Sequence, residues 1–271
     1  MIDTTVKVAD KLVGEYDIIP NPWIKEFYNE NQELVSAKFH GITAIRPYAF
    51  ADCTNLALTS LPEGLTSIGN SAFEGCTNLA LTSLPAGVTS IGWSAFQGCT
   101  NLALTSLPEG LTSIADGAFV GCTNLALTSL PDGVTSIGAG AFNSCTNLAL
   151  TSLPDSLTVI LMEAFNSCTN LALTSLPEGL TRIDAGAFYN CTSLALTFLP
   201  EGLTSISFGA FQNCTSLTSI TFKGTPTTIE SKAFSGCTNL TEIKVPWAED
   251  AVANAPWGAT NATIIYNYVG E

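Results

Sequence analysis

The sequence is poor in charge, and in positive charge above all. Only 12% of the 271 residues are charged, and 9 Lys+Arg stand against 23 Asp+Glu, which gives a formal net charge of −14. Such a surface repels phosphate groups and acidic lipid headgroups, so we expect no nucleic-acid partner. The hydrophobic fraction of 46% excludes intrinsic disorder, because disordered chains combine low hydrophobicity with high charge.

Long apolar runs and histidines are also scarce. No run approaches the ~18 apolar residues of a membrane span, so we predict no membrane insertion. The first 18 residues mix charges with short apolar pairs and show neither the apolar core nor the cleavage site of a signal peptide. The single histidine, His40, leaves no Ser-His-Asp triad, and no glycine-rich phosphate loop is present. We therefore expect no enzyme, no catalytic residue and no cofactor.

What the sequence has in abundance is one period. Phenylalanine recurs three residues before each cysteine and isoleucine eight residues before it, and the decapeptide CTNLALTSLP occurs six times. The nine cysteines, each 23 residues after the last, are Cys53, Cys76, Cys99, Cys122, Cys145, Cys168, Cys191, Cys214 and Cys237. A unit of 23 residues cannot bury its own apolar face, so it must stack on its neighbours as a solenoid.

One coil, 76–98, shows the expected course of the chain. Leu79 and Leu81 alternate with other residues and predict a short strand, which must end at Pro85. A second extended piece follows over 88–91, and 94–98 is long enough for one helical turn. The inward residues are then Leu79, Leu81, Leu84, Val88, Ile91, Ala95, Phe96 and Cys99.

The two ends depart from the period, as capping units do. We divide the chain into an N-terminal cap (1–33), a solenoid (34–246) and a C-terminal cap (247–271). Asn21 and Pro22 are typical of a helix start and predict a short helix in which Trp23 and Phe27 lie one turn apart. At the other end, 247–254 is predicted as a helix, 255–258 as a turn and 262–268 as a closing strand.

The unit C-x-x-L…L-P-x-x-L-x-x-I-x-x-x-A-F-x-x-C resembles the leucine-rich repeats of bacterial BspA-like proteins, a 23-residue class also seen in treponemes. The coils with Leu217-x-x-Ile220 and Leu240-x-x-Ile243 match its strand pattern best, whereas the identical coils have a shifted apolar triplet. The segment 245–267 is similar to one that often closes such arrays in gut bacteria and their phages. The expected fold is an α/β repeat protein that is mostly β: a curved leucine-rich-repeat rod with short parallel strands and one helical turn per coil. The resemblance implies a cell-surface or secreted protein that binds other proteins, host matrix or cells.

The cysteine column could indicate metal ligands or disulfides. A spacing of 22 intervening residues is not that of a metal site, and parallel stacking points neighbouring Cβ atoms in one direction rather than at each other. We interpret the nine cysteines as buried structural thiols and predict no metal site.

Two other columns offer polar sites. Glycoside chemistry needs one pair of carboxylates, but this acidity repeats from coil to coil and is better explained as a solvated edge, with weak cation binding as the alternative. We expect neutralising Asp132 and Glu178 to raise stability slightly. The acidic row is Glu63, Glu109, Asp132, Asp155, Glu178 and Glu201. A threonine row could bind ice or a polysaccharide, but threonine is also a common outward strand residue. That row is Thr66, Thr89, Thr112, Thr135, Thr158, Thr181 and Thr204.

The residues that vary between coils are the candidate binding residues. Most follow the isoleucine or the phenylalanine of a coil, and Leu161 and Phe198 replace small residues of neighbouring coils. An apolar strip with aromatic anchors there would suit a partner. The candidates are Trp93, Val120, Leu161, Met162, Tyr189, Phe198 and Phe208. Drift at unconstrained loop positions is the competing explanation.

The function we predict is a non-catalytic protein-binding or adhesion module. The partner would be a protein or glycan, and we expect a monomer at the cell surface. The alternative is a structural spacer or accessory host-recognition element of a phage or cell-envelope assembly.

Overall fold

The computed structural model describes residues 24–28, 34–39 and 41–269. Fifteen short strands lie within these ranges, and no helix does. They are β1 (Ile24–Tyr28), β2 (Leu34–Phe39), β3 (Ala44–Ile45), β4 (Ser67–Ile68), β5 (Ser90–Ile91), β6 (Ser113–Ile114), β7 (Ser136–Ile137), β8 (Val159–Ile160), β9 (Arg182–Ile183), β10 (Phe198–Leu199), β11 (Ser205–Ile206), β12 (Ser219–Phe222), β13 (Thr228–Ile229), β14 (Glu242–Lys244) and β15 (Thr263–Ile265).

The predicted solenoid is confirmed by the strand register. Parallel strands pair at an offset of 23 residues, so that Ile45 lies beside Ile68 and Ile220 beside Ile243. Every inward residue predicted for coil 76–98 is buried, and so are most of its equivalents in the other coils, with Cys53 half-buried. The buried columns form one continuous hydrophobic core that runs the length of the array.

Phenylalanine rings form the most regular part of that core. Nine rings from Phe50 to Phe234 stack in eight successive pairs, with centroids 5.2–5.6 Å apart and planes within 8° of parallel. Each of these side chains is at most 1% exposed. One ring per coil therefore fixes both the spacing and the rotation of each coil relative to the next.

The helical turn predicted in each coil is wrong. In 92–99 the amides of Ala95, Gln97 and Cys99 bond three residues back, while Ser94 (φ 51°) and Gly98 (φ 73°) adopt left-handed conformations. Two left-handed residues within five positions cannot continue a helix. The amides of Ser94, Phe96 and Gly98 bond to the next coil instead, as in Phe96 N–H to the Ala118 carbonyl (2.9 Å).

The strands occupy two faces of the coil. The isoleucine strands form three sheets, β3-β4-β5, β6-β7 and β8-β9-β11-β13, and β10-β12-β14-β15 form a fourth sheet on the other face. The predicted strand at Leu79 and Leu81 is absent from that second face in the six identical coils. The strand first appears there at β10, where the closing coils begin.

Glycine next to the isoleucine strand determines where the isoleucine sheet is interrupted. A Cβ on Gly92 would lie 2.5 Å from the Asn70 nitrogen, and a Cβ on Gly138 would lie 2.4 Å from the Asp116 nitrogen. The next coils carry Ala115 and Leu161 at this position, and the ladder is broken between β5 and β6 and between β7 and β8. The side chain of Ala115 or Leu161 does not fit where the preceding coil has glycine at this position, so the strands of the two coils do not pair.

Both caps differ from expectation. The helix predicted from Asn21 is wrong over 24–27, since β1 pairs with β2 as an antiparallel hairpin; 21–23 lie outside the described residues. The helix predicted over 247–254 is also wrong, because this segment consists of bends and turns. The turn at 255–258 is confirmed, and β15 is the predicted closing strand in shorter form. Trp247, Trp257 and Phe222 cluster with ring centroids 5.1–6.3 Å apart and cover the end of the core.

Candidate functional site

The surface that varies most between coils lies on the turns that follow the isoleucine strands. We define the turn face as the positions one to three places after each isoleucine and one place after each phenylalanine. The third residue after isoleucine has a positive φ in every coil, as at Tyr48 (59°), Gly117 (61°) and Lys232 (68°). Neighbouring positions of the turn face touch, since a Cβ on Gly117 would lie 3.6 Å from Val120.

Six of the seven candidate binding residues lie on the turn face. Trp93, Met162 and Phe208 are 45%, 53% and 47% exposed, whereas Val120, Leu161 and Tyr189 are half-buried. Three coils separate Trp93 from Met162, and two separate Met162 from Phe208. The structure therefore places the exposed side chains singly along the face rather than as one apolar strip.

Phe198 belongs to the opposite surface. It is 49% exposed on β10, in the sheet with β12, β14 and β15. Its ring is covered by Lys223, whose ammonium lies 5.6 Å from the centroid. It cannot share one contact surface with the turn face.

Tyr48 is a turn-face residue that the sequence comparison of coils missed. It is 49% exposed and meets Trp93 edge to face, with centroids 6.0 Å apart and planes at 78°. The two rings belong to the first and third coils and reach across the coil between them. A comparison of the third position after each isoleucine, where Tyr48 stands among serines and glycines, would have revealed it.

The cysteine column is a chain of thiol hydrogen bonds. The Sγ–H of Cys76 donates to the Phe50 carbonyl (2.9 Å), and each later cysteine repeats this 26-residue contact at 3.0 Å. The eight thiols from Cys76 to Cys237 are buried and reduced, and Cys53 is half-buried. Burial raises the pKa of Cys237 to about 12 and that of Cys122 still further. A thiolate is the reactive form of cysteine, so these groups are chemically quiet.

The acidic row is exposed along its whole length. One member, Glu178, pairs with Lys223, which reaches back over the coil between them. In the part of the chain that the structure describes, no three His, Cys, Asp or Glu side chains converge as metal ligands.

The threonine row carries inter-coil bonds. Thr66, Thr181 and Thr204 each donate Oγ1–H to the carbonyl 23 residues earlier, at 3.0, 3.0 and 2.9 Å. A second row follows each cysteine and does the same, for example Thr77 to the Thr54 carbonyl (3.2 Å). Both rows therefore fasten the coils together through their hydroxyl hydrogens.

No helix of the described chain is long and apolar enough to cross a membrane.

The family model for the BspA-type leucine-rich repeat region matches residues 24–149 and 136–254, in six copies. The chain belongs to the BspA-type leucine-rich repeat family. The resemblance drawn from the cysteine, isoleucine and phenylalanine columns is thereby confirmed.

Solved structures of other bacterial leucine-rich repeat proteins have the same fold. A leucine-rich repeat protein from Bacteroides ovatus matches with a TM-score of 0.65 and 23% identity, over 92% of this chain and 77% of that one. The leucine-rich repeat protein of T. pallidum matches with a TM-score of 0.50 and 28% identity, over 66% of this chain and 91% of its own. The pneumococcal vaccine antigen PcpA matches with a TM-score of 0.52 and 17% identity, over 89% and 71%. No curated protein matches the sequence.

Proposed function

We propose that this BspA-type chain is a non-catalytic protein-binding module that acts in adhesion at the bacterial surface. The observation that carries the proposal is the exposure of Trp93, Met162 and Phe208, each about half accessible, at turn positions where neighbouring coils carry alanine, asparagine or aspartate. Large apolar side chains on a rigid surface are the residues that dominate binding energy when a partner buries them.

The repeat architecture supports a binding role over a catalytic one. The acidic row offers the same carboxylate in coil after coil, whereas an active site requires one arrangement that differs from its surroundings. The buried thiols are held protonated by their surroundings. What does differ from coil to coil is the turn face, and that is where recognition would be encoded.

The proposal is tested by binding to immobilised fibronectin, fibrinogen, laminin and collagen. We expect saturable binding to at least one of them, lost or at least about tenfold weaker in Trp93→Ala/Met162→Ala/Phe208→Ala, because truncating several interface anchors commonly costs more than about 1.4 kcal/mol. The matched control is Thr66→Ala/Thr181→Ala/Thr204→Ala, which alters exposed side chains off the turn face. Both variants must keep the wild-type circular dichroism spectrum.

If no matrix protein binds, or if the triple turn-face variant binds as well as wild type, the chain acts as a spacer and the proposal is wrong. Surface display is tested separately. Antibodies against the purified chain should label intact cells of the source bacterium, and labelling only after lysis would contradict a surface role.

A further inference from the structure

Three aromatic rings near the C-terminal end of the array, two exposed and one half-buried, each lie under a lysine of the same chain. The ammonium groups lie 5.2–5.6 Å from the ring centroids, within the range of cation–π attraction. The pairs are Lys223 over Phe198, Lys232 over Phe208 and Lys244 over Tyr268. In the closing coils, each exposed aromatic ring therefore already binds a lysine ammonium of the same chain.

The Tyr48–Trp93 pair is built in the same way but has no cation. Both rings are nearly half exposed, and among the described residues each has only the other as a ring contact. The reason lies in the surrounding sequence. Residues 47–181 contain nine Asp or Glu and no Lys, Arg or His, so the coils that follow the pair supply no positive group up to Thr181. Arg46 belongs to the first coil, and among the described residues neither it nor any other cation lies over either ring.

Two carboxylates lie next to the pair. Asp116 occupies the position of Trp93 one coil further on, where its carbonyl accepts the Ser94 amide (3.0 Å), and it is exposed. Glu74 stands on the coil between Tyr48 and Trp93 and is half-buried. Neither carboxylate forms an ion pair within the described chain. Anionic groups beside an aromatic face add to its attraction for a cation.

We propose that the Tyr48–Trp93 pair captures a lysine or arginine side chain from a basic segment of the protein partner. This rests on the proposed function, since it assigns the partner chemistry of the same turn face. A second copy of the chain is a poor occupant, because four of the five Lys and Arg in residues 41–269, all but Arg46, are already engaged within the chain. Arg182 pairs with Asp184, Lys223 with Glu178, and Lys244 with Glu242, while Lys232 covers Phe208.

The test uses a short fluorescent peptide of alternating lysine and glycine at physiological salt, followed by anisotropy. We expect Trp93→Leu to weaken binding about fivefold, because leucine keeps the apolar contact and removes the aromatic face. Trp93→Phe should recover most of the affinity. The same peptide with every lysine acetylated should not bind. Phe198→Leu is the matched control and should change little, since Phe198 lies off the turn face and Lys223 already covers its ring.

A gain of binding provides a second measurement. Lys232→Gln uncovers Phe208 and should add a second peptide site, whereas Asp132→Asn, away from either ring, should weaken binding by less than about 1.5-fold because salt screens an exposed charge. The proposal is overturned if Trp93→Leu binds as tightly as wild type, if the acetylated peptide binds equally, or if Phe198→Leu costs as much as Trp93→Leu. Sedimentation showing a dimer that Trp93→Leu dissociates would also overturn it, because the occupant would be a second copy.

These outcomes separate the two proposals. Suppose that the triple turn-face variant loses matrix binding while Trp93→Leu leaves the affinity for the peptide unchanged. That result supports the binding module and rejects cation capture. Peptide binding that depends on Trp93, with no matrix protein bound, supports cation capture and rejects the adhesion role.

Discussion

The six identical coils and the coils that close the array share one core but differ in their strands. Both regions have the stacked phenylalanines and the bonded thiols. In the identical coils the apolar residues lie three, five and eight places after cysteine, as in Leu79, Leu81 and Leu84. This leaves Thr82 and Ser83 both outward, which breaks the two-residue alternation that a strand requires.

In the last two coils, which follow Cys214 and Cys237, the apolar residues lie three, six and eight places after cysteine. Ser219, Ile220, Thr221 and Phe222 alternate between the half-buried and buried sides, and β12 forms with partners on both edges. The isoleucine sheet is continuous over β8, β9, β11 and β13, which join the last two identical coils to the closing coils, and none of these four coils has glycine after its isoleucine. The coil of β10 keeps the spacing of the identical coils, and β10 pairs on one edge only, with β12. The shift of one residue in the last two coils thus accompanies strands that pair on both edges.

High pH should have the largest effect, and it should lower the free energy of unfolding in both regions together. The eight buried thiols have raised pKa values, with that of Cys237 at about 12, against 9.0 for an ordinary thiol. The folded chain keeps these protons while the unfolded chain loses them, so stability is complete below pH 9 and falls above it. The cost is about 1.4 kcal/mol per thiol per pH unit.

Urea midpoints should therefore be flat from pH 6 to 8 and collapse by about pH 10. Cys122→Ala/Cys145→Ala should make that fall shallower. A midpoint that stayed level to pH 11 would show that the thiols do not couple to folding.

Truncating the phenylalanine stack should cost about 3–5 kcal/mol in either region. The Phe142 ring lies 5.6 Å from both of its neighbours, and Phe211 is stacked in the same way among the closing coils. We expect Phe142→Ala and Phe211→Ala to lower the free energy of unfolding by similar amounts in urea titrations. A much smaller loss at Phe211 would mean that the ladder, rather than the stack, holds the closing coils.

Exchanging the register should convert one kind of coil into the other. Ser219→Leu/Ile220→Thr gives the closing coil the apolar spacing of the identical coils, and we expect a loss of about 2–4 kcal/mol because Ile220 is fully buried. Hydrogen exchange at Glu242–Lys244 should accelerate as β12 leaves the sheet. Ser219→Thr keeps the outward position polar and should leave both measurements unchanged, whereas full protection in the double variant would contradict the register argument.

Glycine in the identical coils should be replaceable in one position and not in another. A Cβ on Gly138 would lie 2.4 Å from the Asp116 nitrogen, but a Cβ on Gly133 in the same coil would lie 3.5 Å from the Leu111 carbonyl oxygen. We expect Gly138→Ala to destabilise by about 1–3 kcal/mol and Gly133→Ala to be nearly neutral in thermal melts. Equal effects would mean that the close approach at Gly138 relaxes without cost.

The acidic row should give the smallest effect, and the effect should differ between two of its members. Asp132 lies in the part without basic residues, so Asp132→Asn should raise the melting temperature by about 1 °C through relief of repulsion. The expectation that Glu178→Gln does the same is corrected by its pairing with Lys223, and we predict no rise there. Calorimetry in low and high salt checks this, since added NaCl should shrink the Asp132 effect. A rise in both variants would mean that the Lys223 pair contributes nothing.

Prediction from the sequence was strongest where one residue type repeats in every coil and weakest for contacts between individual residues of different coils. The inward set of coil 76–98 and the closing strand near Ile264 followed from the pattern alone. The predicted helical turns failed because the sequence does not reveal that the amides of Ser94, Phe96 and Gly98 bond to the next coil. The contact of Tyr48 with Trp93 lay beyond reach for the same reason, since it joins two coils across a third.

The sequence by itself determined the solenoid, its length in coils and the columns that fill its core, because a strict 23-residue period places the same side chain at the same point in every turn. Only the tertiary structure decided which segments pair as strands, since backbone pairing requires two adjacent coils to have the same backbone conformation at that position. It alone also decided where charge meets aromatic rings, with lysines over Phe208 and Phe198 and none over Trp93. Those contacts depend on how far a side chain reaches across the stack, which one coil read by itself does not contain.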